Sequence, residues 1–353
     1  RLKQSGMNII RVAHYPQDPS FMDACDELGI FVIVATPGWQ YWNKDPKFGE
    51  LVHQNTREII RRDRNHPCVL MWEPILNETR YPEDFSLQAL QITKDEYPYP
   101  YRPIAAADMH SAGVKENYEV LYGWTTDIGK EGVPTDKCIF TREFGEMVDD
   151  WYAHNNLNRA ARAWGEKPML TTAISLNDTY NEMFMGGQFI GGCQWHPFDH
   201  QRGYHPDTYY GGIYDAFRQK KYAQPMFAAM DDTQAPNVFI AHELSPFSDD
   251  DVIVFSNCDS VRLTAFEGDK VETISQGQSK GHSVAFSKTY EGKKGLFVFH
   301  NFWNFWQARQ YSYNKKNWQR VSLLAEGFKD GKIACSQKKM PSRRSTKLRL
   351  YVD

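Results

Sequence analysis

The 353 residues, at about 150 per domain, make room for roughly two domains, one of them a large barrel. Lysine plus arginine number 41 against 44 aspartate plus glutamate, a formal charge of -3, so no basic field exists for a phosphate backbone and no nucleic-acid partner is expected. Apolar runs such as Ile30 to Ala35 fall far short of the ~18 to 20 residues of a membrane span, and the chain reads as soluble, with no leader pattern at its start and six scattered cysteines that disfavour a disulfide framework or zinc ribbon.

From Met7 to about Met230, short apolar runs alternate with longer periodic stretches, the pattern of a parallel sheet wrapped by helices. The expected strands are Asn8 to Ala13, Phe31 to Ala35, Cys68 to Trp72, Pro103 to Ala107, Glu119 to Tyr122, Cys138 to Thr141 and Gln188 to Gln194. Apolar spacing, as in Phe21, Cys25 and Leu28, places helices at Pro19 to Leu28, Gly49 to Arg62, Asp84 to Asp95, Val148 to Trp164 and Lys220 to Met230, with a helical excursion over Lys167 to Met185. Eight strands close a (β/α)8 TIM-type barrel and seven are visible, while Arg1 to Gly6 reads as the tail of a helix. The expectation is a barrel over residues 1–233 that is incomplete at its N-terminus, its first strand and further N-terminal domains belonging to a longer parent chain.

After Asp232 the texture changes to alternating β-branched and polar residues. Asp251 to Ser256, Ser260 to Phe266, Lys270 to Ile274, Ser283 to Ser287, Leu296 to His300 and further strands within Arg320 to Asp353 predict a β-sandwich over residues 234–353, with Gln234-Ala235-Pro236 as linker. Aromatic residues make up 14% of the chain, and seven of them crowd the run between Asn301 and Trp318; packing against the barrel is the more frequent use of such a run, a sugar-binding edge the other.

On a parallel barrel the reactive side chains sit at the C-terminal strand ends. Strand Cys68 to Trp72 runs into Glu73-Pro74-Ile75-Leu76-Asn77-Glu78, and strand Cys138 to Thr141 into Arg142-Glu143-Phe144-Gly145-Glu146. Two carboxylates across a barrel mouth are what glycoside hydrolysis needs, one protonating the leaving oxygen and the other attacking or activating water. GQSKG at Gly277 to Gly281 fits a serine-nucleophile pattern but lies between sandwich strands and reads as a loop. His196, Asp199, His200 and His205 share a proline-containing loop without metal-site spacing, so sugar contact or loop packing is the better reading, and no metal is expected.

The segments GMNIIRVAHYPQDPSFMDACDELGIFV, RRDRNHPCVLMWEPILNET, CIFTREFGE and GGCQWHPFDHQRGYHPD together resemble glycoside hydrolase family two, whose best-known members are β-galactosidases and β-glucuronidases. The resemblance spans residues 1 to about 230, and the following sandwich resembles the immunoglobulin-like domains that come after the barrel in many members. It implies a retaining exo-β-glycosidase acting on terminal sugars, most simply β-galactosides, without a cofactor. By the same resemblance, Glu78 is the general acid/base, Asn77 the donor to the sugar 2-hydroxyl and Glu143 the nucleophile, with Glu146 solvated or supporting. Arg11 supports the nucleophile's charge, His14 reaches the sugar and Trp195 is the aromatic floor under the pyranose. Tyr122 is the hydrogen-bond partner of Glu143, with Tyr118 and Trp124 as competitors. Retention further implies carboxyl groups ~5 to 5.5 Å apart, the acid's pKa being raised by its ionised neighbour and by burial.

The chain also departs from the family pattern. The third barrel strand ends in VIVATPGWQYWN, so Trp39 and Trp42 put aromatic surface where an acidic residue is common. WEPILNE carries one extra residue and adds Glu73, which faces the interior, pairs with Arg11 or perturbs Glu78. The expected partners are an oligosaccharide or polysaccharide substrate and further copies of the chain in a homo-oligomer, with no membrane insertion and an extracytoplasmic setting. The competing reading is a catalytically silent carbohydrate-binding or scaffold protein on the same fold, against which the retention of both Glu78 and Glu143 argues.

Overall fold

The computed structural model describes residues 1–145, 159–183, 187–201, 208–266, 284–304 and 322–341. They fall into two compact units, one holding 1–3, 7–146 and 179–196, the other 4–6, 147–178 and 197–353.

The first unit alternates strand and helix: β1 (Ile9–Val12), α1 (Pro19–Leu28), β2 (Phe31–Ala35), α2 (Pro46–Asp63), β3 (Val69–Glu73), α3 (Glu83–Asp95), β4 (Ala106–Asp108), α4 (Val114–Asn117), β5 (Val120–Tyr122) and β6 (Cys138–Phe144). Helix α5 (Glu166–Glu182) then leads to β7 (Phe189–Gln194). Local chemistry sets the helix starts. Asp18 and Asp45 each cap a helix that begins with proline, their carboxylates accepting from Ser20 N and Lys47 N, and Gly29 ends α1 in the left-handed conformation at φ 63°.

All seven strands run parallel. β1-β2-β3 and β4-β5-β6-β7 form two hydrogen-bonded runs, joined where Trp72 N donates to Ile104 O at 2.9 Å and Trp72 bridges to Ala105. β1 and β7 bring Cα atoms within 8 Å of each other, as the curvature of a TIM-type barrel requires. Inside, Ile33, Met71, Ala106, Val120, Tyr122 and Phe140 form one cluster. Between strands and helices, Val12, Met22, Cys25, Val32, Val34, Ile60 and Trp72 form another, so β2 buries both faces, which is why its sequence is an unbroken apolar run.

In the second unit β8 (His200–Gln201) pairs with β9 (Thr208–Tyr209), and α6 (Ala223–Ala228) precedes the β-rich part. There β10 (Val238–Ile240), β11 (Val252–Ser256) and β14 (Leu296–Phe299) form one antiparallel sheet. β12 (Ser260–Phe266), β13 (Val284–Ser287), β15 (Ser322–Lys329) and β16 (Lys332–Lys339) form a second, in the order β13-β12-β15-β16. Val252, Val254 and Phe297 of the first sheet share an apolar cluster with Val261, Leu263 and Leu323 of the second.

Several expectations are corrected. The helix expected over Lys220 to Met230 is only Ala223–Ala228, because Lys221 turns inward to an ion pair with Asp199 at 2.6 Å instead of starting a solvated face. The described end of the helix expected over Val148 to Trp164 holds a single 3-10 turn, Arg162–Trp164, stopped by Gly165 at φ 91°. The rest of that span, the strand expected at Lys270 to Ile274, the GQSKG segment and residues 305–318 lie outside the described residues. No helix among the described residues is long and apolar enough to cross a membrane.

Candidate active site

The mouth of the barrel is built where the parallel pairing continues past the strands. Gly38 N donates to His14 O at 3.3 Å, Asn77 N to Gly38 O at 3.3 Å, and Gln40 N to Asn77 O at 3.1 Å. The segments after β1, β2 and β3 are thereby stitched side by side, which brings His14, Trp39 and Asn77 onto one rim. On the opposite side β6 breaks step. It advances three residues from Thr141 to Phe144 while β7 advances two, from Gly192 to Gln194. That irregularity lets the consecutive residues Arg142 and Glu143 both serve the mouth, where strict alternation sends one of them to the other face.

Arg11 is the hub. Its Nε and Nη2 donate to the two oxygens of Glu73 at 2.6 and 2.7 Å, its Nη1 to Glu143 Oε1 at 2.6 Å, and Nη2 also to Asn77 Oδ1 at 3.2 Å. Arg11 and Glu73 are only 2% exposed in their side chains, and Glu143 15%. Burial works against the guanidinium's charge, but Glu73 above all, then Tyr122 and Glu143, hold it well above its ordinary pKa. Of the alternatives open for Glu73, burial in the interior and the pair with Arg11 are both observed.

Tyr122 departs from expectation. Its hydroxyl donates to Glu73 Oε2 at 3.1 Å and not to Glu143, because Glu73 at the end of β3 puts a second carboxylate within its reach. Burial and Glu73 push the phenol far up, so it donates as a neutral group. Of its competitors, Tyr118 is fully buried and donates to Ser86 O at 2.9 Å, away from the mouth, and Trp124 is exposed.

Glu78 belongs to a second network. Its Oε2 accepts from Trp39 Nε1 at 3.0 Å and Gln40 Nε2 at 2.8 Å, and its Oε1 from Arg142 Nη2 at 2.9 Å; Arg142 Nη1 in turn pairs with Asp108 at the end of β4. The raised pKa expected of Glu78 is reversed. Burial does push it upward, but the hydrogen bonds from Trp39, Gln40 and Arg142 together outweigh burial and hold it below the usual carboxylate range. The two networks meet through chain neighbours, Asn77 with Glu78 and Arg142 with Glu143, and through the backbone bond from Gln40 N to Asn77 O.

His14 stacks between two indoles, with ring centroids 5.9 Å from Trp39 and 6.2 Å from Trp195. Burial first, and then Arg11, lower its pKa, so the ring is neutral near pH 7, and its buried Nδ1 has no hydrogen-bond partner. Asn77 Nδ2 is likewise buried without a partner. Trp42 is half-buried, its ring packed edge-on against Phe85 and Phe48 at 4.7 and 5.4 Å, whereas Trp39 is 41% exposed. Cys193 lies in the barrel near Arg11, where burial pushes its thiol up to about 12.

Glu146 and His205 lie outside the described residues. Asp199 Oδ1 accepts from Lys221 Nζ at 2.6 Å and from Gly212 N at 2.9 Å, while its Oδ2 is buried without a partner. Asp26, His66 and Cys68 gather ligand atoms within 4.8 Å, yet both Asp26 oxygens are already engaged, by Cys68 N at 2.8 Å and His66 Nδ1 at 2.6 Å, as a structural clamp between α1 and the start of β3. Sequence reasoning missed Gln40, Asp108 and Arg142. Asp108 ends a strand as the catalytic candidates do, and Arg142 stands inside the quoted CIFTREFGE; both were available to the strand-end rule.

Residues 1–131 match the family model "Glycosyl hydrolases family 2, TIM barrel domain", a span that includes Glu78 and stops before Glu143. A β-galactosidase of Thermoanaerobacter pseudethanolicus is 30% identical over 273 residues, covering 73% of this chain and 35% of that protein. A β-galactosidase of Thermoanaerobacterium thermosulfurigenes is 25% identical over 284 residues, covering 76% of this chain and 38% of that protein. The chain thus spans little more than a third of the length of these curated relatives. In fold, the crystal structure of a Bacteroides uniformis β-glucuronidase aligns with a TM-score of 0.65 at 18% identity, covering 97% of this chain and 42% of that one.

Proposed function

We propose, starting from a barrel that belongs to glycosyl hydrolase family 2, that this chain carries the catalytic machinery of a retaining exo-β-glycosidase that removes terminal β-linked sugars, most simply galactose, from oligosaccharides or polysaccharides. The observation that carries the reading is the Arg11 hub, which holds Glu143 at 2.6 Å and fixes Asn77 on the same guanidinium. A carboxylate anchored through one oxygen keeps the other for attack on the anomeric carbon. Asn77, its Oδ1 fixed by Arg11, has Nδ2 left for a sugar hydroxyl. Glu78 then protonates the leaving oxygen and, in the second step, takes a proton from the water that releases the sugar. The Trp195 and His14 rings offer the flat apolar surface on which a pyranose stacks.

The neutral sugar is favoured over a uronic acid by charge. Among the described residues, Glu73, Glu78, Asp108 and Glu143 face Arg11 and Arg142, four carboxylates against two guanidinia, and both guanidinia already hold carboxylates. A substrate carboxylate entering there meets an excess of negative charge. The two relatives that match most of the chain are named β-galactosidases, whereas the aligned crystal structure is a β-glucuronidase, so the sugar rests on the charge argument. We read residues 1–233 as the barrel domain and 234–353 as an immunoglobulin-like β-sandwich behind it, in keeping with two antiparallel sheets sharing one apolar cluster.

The test is covalent trapping. A 2-deoxy-2-fluoro glycoside with a good leaving group slows both steps but leaves the first feasible, so the sugar stays on the nucleophile. Galacto-, gluco- and glucurono-configured probes are run in parallel. Labelling with the galacto probe, mapped by mass spectrometry to Glu143 within CIFTREFGE, supports the proposal. Labelling elsewhere overturns the site, labelling by the glucurono probe alone overturns the sugar, and turnover without labelling points to inversion.

A further inference from the structure

We infer that Arg142, braced by Asp108, is a positioning residue for Glu78, and that its contact with the Glu78 carboxylate must break before Glu78 can deliver a proton to a leaving group. The inference rests on the acid/base role proposed for Glu78.

The groups around Glu78 come from four places. His14 follows β1, Trp39 and Gln40 follow β2, Asp108, which reaches Glu78 only through Arg142, ends β4, and Arg142 and its neighbour Glu143 come from β6. Trp39 and Gln40 are neutral donors, His14 is neutral near pH 7, and Glu143 is held by Arg11. Among these groups Arg142 is therefore the one cation on Glu78, at 2.9 Å, and its side chain is 17% exposed, so water screens the contact only in part. Asp108 on Nη1 leaves Nη2 aimed at Glu78, a fork that fixes the direction of the guanidinium. The irregular step in β6 is what delivers it, since Arg142 and Glu143 both face the mouth. In this arrangement all three contacts to Glu78 favour the carboxylate, which suits the base of the second step and opposes the acid of the first. Trp39 and Gln40 both donate to Oε2, so a ligand in the leaving-group position that displaces Arg142 removes the cation and frees Oε1, the oxygen that can then carry a proton taken from solvent and passed to the glycosidic oxygen.

The test compares the basic limbs of kcat/KM, which reports the free protein, and kcat, which reports the substrate complex, on a glycoside with a poor leaving group. In the wild type the kcat limb should lie at higher pH. In Arg142→Gln the kcat/KM limb should move up toward it, so that the ratio of kcat/KM at pH 7 to that at pH 5 rises about threefold or more, while Arg142→Lys keeps the wild-type limb. An unmoved limb in Arg142→Gln, or the same movement in Arg142→Lys, overturns the inference. Carboxyl 13C titration of Glu78, its signal identified by loss in Glu78→Gln, gives the same answer without turnover: the midpoint must rise in Arg142→Gln. Trapping at Glu143 with an unmoved Glu78 midpoint defeats this inference alone. A risen midpoint in a protein that cleaves no glycoside confirms the electrostatic hold and defeats the proposed function.

Discussion

Replacing Arg11 with methionine is the sharpest test of the hub, because among the described residues its guanidinium is the cation that hydrogen-bonds both Glu73 and Glu143. Glu73 accepts two hydrogen bonds from Arg11 and one from Tyr122, so the substitution leaves a fully buried carboxylate with a single neutral donor. Glu143 loses its guanidinium at the same stroke. Breaking a buried pair from one side costs about 3 to 5 kcal/mol, mostly as the penalty of the stranded charge. Glu73→Gln alone leaves Arg11 paired with Glu143 and should cost only about 1 to 3 kcal/mol. In Arg11→Met with Glu73→Gln no charge is stranded at 73, and the double variant should fall short of the summed losses by about 1.5 kcal/mol or more. Urea unfolding followed by tryptophan fluorescence reads all three against the wild type. Losses that add to within about 0.5 kcal/mol would refute the hub.

The other expectations concern single groups. Glu78→Gln should slow glycosides with poor leaving groups far more than activated aryl glycosides, which depart with little protonic help; equal losses on both would remove the acid/base role. His14 has its pKa lowered from the ordinary 6.5, so the unfolded chain binds the proton more tightly and this group's contribution to stability is lost as pH falls below about 6.5. His14→Gln should therefore flatten the stability profile on the acid side, and an unchanged slope in thermal melts between pH 7 and 5 counts against a buried neutral imidazole. At Gly327 a methyl group would meet Cys258 Sγ at 2.5 Å and Cys335 Sγ at 2.9 Å, so Gly327→Ala should cost about 1 to 3 kcal/mol and Cys258→Ala should relieve part of it.

Much of the barrel was readable because a parallel strand is buried on both faces and leaves an unbroken apolar run. Phe31 to Ala35 and Pro19 to Leu28 match the observed β2 and α1 residue for residue, the latter fixed by Asp18, Pro19 and Gly29. β10 escaped because three residues are too few to show alternation, and the pair β8 and β9 because two residues carry no period. At the mouth, strand ends locate candidates but not their partners. Which carboxylate Tyr122 reaches, and that Arg142 holds Glu78, depend on how Glu73 ends β3 and on the broken step in β6. That Trp42 is half-covered depends likewise on a distant residue, Phe85 on a later helix.

That broken step in β6 also works as a vernier on the catalytic mouth. Parallel strands offer side chains to the lumen in increments of two residues, too coarse to place a cation and an anion side by side. By inserting one residue against β7, the chain obtains a half-step, and a dipole of opposite charges forms between adjacent Cα atoms. Its orientation is encoded in residue order alone. Exchanging Arg142 and Glu143 would leave composition and fold content unaltered while pointing the dipole the other way, toward Glu78 with its negative end and toward Arg11 with its positive one. Both contacts would turn from attraction to repulsion, so the polarity of this rim is a property of sequence order within a single peptide unit.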